Sequence, residues 1–184
     1  KRDMRVTPTV IGHGIEAELW QTDKKRKEPY LLWAKTRADD VCDPTPAYEL
    51  AKRGVPIVST FLPKNKPPTQ NYTVTGVMPH AEMKQLIEGA SIYVATTMET
   101  FGIQTLEALA SGTPVLGYAW GGTKDIVRHK VDGWLAAPDD LDGLVEGLQY
   151  ILDHWREMSQ AARQRASRRR TSCSAAFLSR CGPS

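Results

Sequence analysis

Short apolar runs alternate with polar-capped, amphipathic stretches along most of this chain. The runs are Tyr30 to Ala34, Val55 to Thr60, Tyr72 to Thr75, Ser91 to Thr96, Pro114 to Tyr118 and Gly133 to Ala136. Each has the length of a strand, and the runs are apolar throughout rather than alternating, the pattern of strands covered on both faces. Between them the caps and breakers predict helices. One runs from Pro44 to Arg53, with Asp43 as N-cap, Pro44 at the first position and Gly54 at the end. Another starts at Pro79 or His80 and runs to Glu88, ended by Gly89; a third, Ile103 to Ala110, is stopped by Ser111-Gly112. A short helix follows Gly121-Gly122 and reaches about His129, Asp139 opens one to about His154, and a last one begins near Trp155. Residues 1–20 are predicted to be a connecting segment turning at His13-Gly14, residues 21–29 a charged loop, and residues 63–71 a proline-rich loop.

Strand and helix alternate almost without exception, which requires crossover connections and a parallel sheet. The predicted fold is α/β: a Rossmann-like, doubly wound parallel sheet with helices on both faces. Ligands of such sheets sit outside the carboxyl ends of the strands. Ser59 to Leu62, Val77-Met78, Thr97 to Gly102 and Trp120 to Thr123 are therefore expected on one rim.

Composition narrows the function classes. The 184 residues fit one domain, with 41% hydrophobic and 24% charged positions. No apolar run approaches the ~18 residues of a membrane helix. Cys42, Cys173 and Cys181 are odd in number and match no metal spacing, which points to a reducing compartment. The net charge of +3 is unevenly placed: residues 156–184 hold seven arginines against Glu157, a balance of +6, so the first 155 residues sum to −3. Basicity thus belongs to the tail, and a nucleic-acid surface is not expected of the fold. Arg163 to Arg170 reads either as a site for anionic lipid or nucleic acid or as a solvated helix end. The chain opens Lys1-Arg2-Asp3, as a piece cut from a longer protein would.

Candidate chemistry gathers at Glu99 to Val115. Glu99 falls in the loop after a strand and Glu107 on the helix that follows, with seven residues between them. Gly102 lets the backbone approach a ligand closely just before that helix, and the N–H groups of its first turn favour an anion such as a diphosphate. Bland alternatives stand beside each residue. Glu107 also reads as an exposed helix residue, Glu99 as a carboxylate suited to a helix start, Lys35 and Arg37 as solvated loop charges, and Gly121-Gly122 as a turn. Asp140-Leu141-Asp142 spells the D-x-D of metal-dependent sugar transfer, but its place at a helix start favours a cap, and no metal site is expected. Asp39-Asp40 has no partner cluster. His13, His80, His129 and His154 are scattered, and none pairs with an acid at catalytic spacing.

The Glu99–Glu107 segment resembles the E-x7-E signature of retaining GT-B glycosyltransferases, the large group 1 or family 4. Five flanking segments follow in the same order. His13-Gly14-Ile15-Glu16 is similar to the family's N-G-V-D, and Thr75 to Met83 to its G-x-v-s-x-e-e-l. Ala108 to Val115 resembles E-A-x-A-x-G-x-P-V-V, Gly121 to Val127 resembles G-G-x-x-E-i-v, and Asp132 to Pro138 resembles n-G-l-l-v-x-P. The resemblance implies roles. Glu107 would bond the ribose hydroxyls and Glu99 would face the donor sugar. The N–H groups of Phe101, Gly102 and Ile103 would contact sugar or phosphate. Base contacts would fall near Val77 and Met78, with Gly121 and Gly122 close to the sugar. Lys35 stands where the family usually has arginine; Arg37 is the candidate second cation, at a spacing that departs from the pattern.

Two cations would stabilise the charge growing on a departing nucleoside diphosphate without a metal. In the retaining path so implied, the acceptor attacks on the face the diphosphate leaves, and a phosphate oxygen takes its proton. The chain is then expected to be a C-terminal donor-binding half. Residues 1–22 would be linker, 23–155 the nucleotide-sugar-binding domain, and 156–184 an Arg-rich helix and tail, partly disordered; residues 171–184 lack the family's closing-helix pattern. The expected donor is a UDP- or GDP-sugar of hexose type, with no cofactor. The expected partner is a missing N-terminal acceptor-binding domain, without which turnover is weak or nil. The cytoplasm, or peripheral contact with the cytoplasmic face of a membrane, is the expected location. Rival functions are a nucleotide-sugar 2-epimerase, a non-catalytic nucleotide-sugar-binding or assembly module and, in third place, an Arg-tail nucleic-acid binder.

Overall fold

The computed structural model describes residues 15–20 and 29–165. The expected turn at His13-Gly14, residues 21–28 of the charged loop, and the tail beyond residue 165 lie outside the described residues. Among the described residues, a single 3-10 turn at Ala17–Trp20 is followed by six strands and six helices. They are β1 (Leu31–Trp33), α1 (Thr45–Lys52), β2 (Ile57–Ser59), β3 (Tyr72–Val74), α2 (His80–Gly89) and β4 (Ile92–Ala95), then α3 (Ile103–Ala110), β5 (Val115–Tyr118), α4 (Thr123–Ile126), β6 (Gly133–Ala136) and α5 (Leu141–Asp153). A helix over residues 155–165 closes the series as α6. All strands are parallel, in the order β3-β2-β1-β4-β5-β6.

The wholly apolar strands serve two cores. Successive side chains point to opposite faces. Leu32, Tyr93, Ala95 and Val115 meet α2, α3 and α4 on one face. Leu31, Trp33, Ile92, Val94 and Leu116 meet α1 and α5 on the other. The sheet is thus covered on both sides, as the missing alternation predicts. Fully buried Leu144 and Ile151 anchor α5, each worth ~1.5–3 kcal/mol on burial.

Two helix starts differ from expectation. Asp140, not Asp139, caps α5, its Oδ1 accepting the Gly143 N–H at 2.8 Å. Asp139 sits at φ +61°, a left-handed turn geometry that excludes it from the helix. α1 begins at Thr45, and Asp43 Oδ1 accepts both the Thr45 N–H at 2.9 Å and its hydroxyl at 2.7 Å. The helix expected near Trp155 is present over residues 155–165 and packs on the body. Met158 enters the α1/α5 core and Ala162 the α2/α3 core, so α6 ties the two layers together. The Trp155 indole donates to Ser91 O at 2.8 Å and Ser159 Oγ to Gly112 O at 2.6 Å. Packed core residues in α6 thus reach Ala162.

Candidate active site

Chain order reverses between β1 and β4: β1 leads to α1 on one face of the sheet and β4 leads to α3 on the other. Loops that part in this way open a crevice at the carboxyl edge. Lys35 follows β1 and Glu99 follows β4, and they meet there, Nζ to Oε2 at 2.9 Å. Lys35 is held on every side and is 5% exposed. Thr60 clamps its backbone, accepting the Lys35 N–H at 3.0 Å and donating to its carbonyl at 2.8 Å. Its ammonium also donates to Tyr93 Oη at 3.2 Å and Gln104 Oε1 at 3.5 Å. Burial works to lower the Lys35 pKa, but Tyr93 and Glu99 outweigh it and hold the group above its ordinary value. Burial pushes the Tyr93 phenol up to about 12, so it is a neutral hydrogen-bonding group.

Around this pair lies a cleft of about 400 Å³, walled by Lys35, Arg37, Met98, Glu99 and the Phe101–Gln104 segment. Gly102 caps α3 from φ +64°, and a Cβ there would come within 2.6 Å of Ile126 Cδ1. The glycine thus brings the open N–H groups of the first turn of α3 to the cleft. Phe101 and Ile103 carry exposed side chains beside it. Behind the loop, Gly122 N–H donates to Glu99 O at 2.6 Å. A Cβ on Gly121 would strike Glu99 O and one on Gly122 would strike Thr100 O. The glycine pair is thus placed as a support pressed against the loop that carries Glu99.

Glu107 lies about 6 Å further along α3, four residues on at 1.5 Å each. It is 7% exposed and receives His80 Nε2 at 3.3 Å. Burial raises its pKa, with His80 opposing. His80 opens α2 directly after Val77-Met78-Pro79, so Glu107 stands beside that loop, where Val77 is exposed and Met78 packs on the core. Glu107, Val77 and Met78 lie beyond the walls of the Lys35–Glu99 cleft. The candidate site therefore has two parts joined by one helix.

Several bland alternatives fail on this geometry. Glu107 is not an exposed helix residue, Glu99 is bonded to a buried cation, and Lys35 is no solvated loop charge. Arg37 is different: 65% exposed, it pairs with Asp39 at 2.9 Å at the mouth of the cleft. Asp142 pairs with Arg53 at 3.0 Å while Asp140 caps α5. Among the described residues no histidine, cysteine and carboxylate cluster has metal-binding geometry.

Sequence reasoning missed Tyr93, Gln104, Thr60 and His80. Tyr93 reads as one more apolar strand residue, and only the β1–β4 pairing turns it toward Lys35. His80 meets Glu107 at 3.3 Å, a histidine–acid contact that the reading of histidine spacing did not find. Spacing along the chain could not show it, because the two residues sit on different helices.

The sequence pattern of the family described as "Glycosyl transferases group 1" matches residues 62–169. The chain belongs to the group 1 glycosyl transferases. One relative, an uncharacterized glycosyltransferase of Methanocaldococcus jannaschii, is 36% identical over 74 residues, 40% of this chain and 19% of that protein. Among solved structures, Anabaena HepE in complex with UDP-glucose superimposes with a TM-score of 0.69 at 14% identity, covering 88% of this chain and 52% of that one. The C-terminal domain of LpcC, a glycosyl transferase group 1 family protein of Francisella tularensis, superimposes with a TM-score of 0.67 at 14% identity over 84% of this chain and 97% of that domain. At these identities the two superpositions speak for the GT-B-type Rossmann-like fold. The chain spans about half the length of HepE and a smaller share of the Methanocaldococcus protein. No helix of this group 1 domain among the described residues is long and apolar enough to cross a membrane.

Proposed function

We propose that this domain binds the nucleoside-diphosphate sugar in a retaining, metal-independent glycosyltransferase that moves a hexose-type sugar to an acceptor. The observation that carries this function is the buried Lys35 ammonium at the β1/β4 crevice, bonded to Glu99 and facing the first turn of α3. A cation and backbone N–H dipoles at one place fit a diphosphate, and both strengthen as charge grows on the leaving group. Phe101, Gly102 and Ile103 would bring their N–H groups to the phosphates or sugar, and Glu99 would accept sugar hydroxyls. Glu107, positioned by His80, would take the ribose, and the Val77-Met78 backbone the base. Arg37 would close the mouth of the cleft after leaving Asp39.

In the transfer itself, the bond from the anomeric carbon to the phosphate oxygen breaks and its electron pair stays on that oxygen. The acceptor oxygen bonds the anomeric carbon from the same face, and its proton passes to phosphate. The acceptor would be bound by an N-terminal domain; the half-length overlap with HepE supports this, and UDP-glucose in HepE supports a uridine donor. The enzyme would act in the cytoplasm or at the cytoplasmic face of a membrane.

The test is a thermal unfolding titration with UDP, GDP and ADP, run on the chain and on Glu107→Ala. A ligand that binds only the folded state adds ~2.7 kcal/mol at a hundred times its Kd. The expected result is a raised midpoint with one diphosphate, lost in the variant. No shift with any of the three at millimolar concentration refutes donor binding by this domain.

A further inference from the structure

Lys35 has three ammonium protons, and three side chains accept them: Glu99 at 2.9 Å, Tyr93 at 3.2 Å and Gln104 at 3.5 Å. A diphosphate that bonds Lys35 must therefore displace one of them. The three are not equal. Tyr93 is fully buried, and its hydroxyl lies 3.2 Å from Ala34 O and 3.4 Å from Gln104 Oε1, tied to the frame of the sheet. Glu99 is on a loop, with its side chain 28% exposed at the cleft. Its carboxylate is also the like-charged neighbour that an incoming phosphate meets first.

Resting on the donor-binding function above, we propose that Glu99 and the donor diphosphate compete for Lys35, while Tyr93 and Gln104 hold the ammonium in place through the exchange. Glu99 is then a self-competitor for the phosphate seat. Exchange frees its carboxylate to accept sugar hydroxyls, which couples phosphate binding to sugar recognition. A bare diphosphate releases Glu99 with nothing to bond, whereas a nucleotide sugar provides a new partner. The pair thereby disfavours the product nucleotide relative to the sugar-bearing donor. Tyr93 is a positioning residue in this scheme, acting only through Lys35.

The test uses the near-isosteric variants Glu99→Gln and Tyr93→Phe, with folding checked by thermal midpoint. Calorimetric Kd values are measured for UDP and inorganic pyrophosphate, which carry the diphosphate, and for uridine, which does not. Glu99→Gln is expected to tighten UDP and pyrophosphate about fivefold, the equivalent of an ion pair of roughly 1 kcal/mol. Uridine stays unchanged and UDP-glucose gains less than UDP. Tyr93→Phe is expected to weaken UDP and pyrophosphate by a similar factor and to leave uridine alone, a split that a general packing defect would not produce. Weaker or unchanged pyrophosphate binding in Glu99→Gln overturns the exchange, and parallel losses of UDP and uridine in Tyr93→Phe overturn the positioning role. Absence of diphosphate binding to the unsubstituted chain is a separate outcome, which refutes the donor function on which the exchange rests.

Discussion

Gly122→Ala puts a single methyl group behind the loop that carries Glu99. Gly122 has an ordinary φ of −67°, so alanine meets no backbone strain and the effect is steric. The new Cβ would crowd Thr100, with its carbonyl carbon at 2.9 Å, and would stand 3.3 Å from Glu99 O. These are backbone atoms, which cannot rotate away as a side chain would. Relief requires the two loops to separate and strains the 2.6 Å bond from Gly122 N–H to Glu99 O. Overpacking costs ~1–3 kcal/mol and a lost hydrogen bond ~1 kcal/mol, together roughly 2–4 kcal/mol. For a chain of this size that lowers Tm by roughly 5–15 °C. Moving this loop also displaces the Phe101–Ile103 segment that continues from it and whose N–H groups would meet the diphosphate, so diphosphate binding should fall even where the variant is fully folded. Gly54→Ala is the control: φ is +90° there but no atom lies within 4 Å of the added Cβ. It should cost only left-handed strain of ~1 kcal/mol, a few degrees of Tm, and leave binding unchanged. Circular dichroism melts with and without UDP decide the matter. A Gly122→Ala protein with the original midpoint and affinity would show that the glycine pair does not support the loop.

Three further outcomes follow from the same geometry. Glu107→Gln should raise Tm at neutral pH while abolishing nucleotide binding: the raised folded-state pKa means the native protein favours the protonated form, so stability is fully present below the unfolded pKa and lost as pH rises through the folded one. Glutamine removes that loss, and an unchanged or lowered Tm between pH 6 and 8 would contradict it. Donor affinity should fall on acidification from a pH above the ordinary glutamate range, because protonated Glu107 accepts ribose hydroxyls less well; a UDP affinity flat down to pH 4.5 would count against the assignment. Asp140→Ala should lower Tm by about 2–4 °C through the lost α5 cap, ~1 kcal/mol, with UDP affinity unaltered by EDTA in either protein.

The fold was legible because punctuation and periodicity agreed. α3 and β6 fall on their predicted residues, Ile103–Ala110 and Gly133–Ala136, since a glycine or a polar turn bounds each of them. Strands β1, β2 and β4 are shorter than their apolar runs, because Ala34, Thr60 and Thr96 lie past the last strand residues, where the chain enters the rim loops. The site was legible in part. Glu99, Gly102 and Glu107 sit within one local segment, and Lys35 is fixed by the end of the first strand. Tyr93, Gln104 and His80 act across elements, and only the strand order, a non-local property, brings them to their partners. In α6, the arginines hid the buried Met158 and Ala162, which lie four residues apart on one helix.

The most direct test of the donor site is a backbone amide spectrum of the isotope-labelled chain, titrated with UDP-glucose, beside Lys35→Ala. Lys35 holding the diphosphate predicts the largest shifts at Phe101, Gly102 and Ile103, smaller ones at Val77, Met78 and Glu107, and loss of the first set in the variant. Shifts confined to other surfaces, or a Phe101–Ile103 response that persists without Lys35, would contradict it.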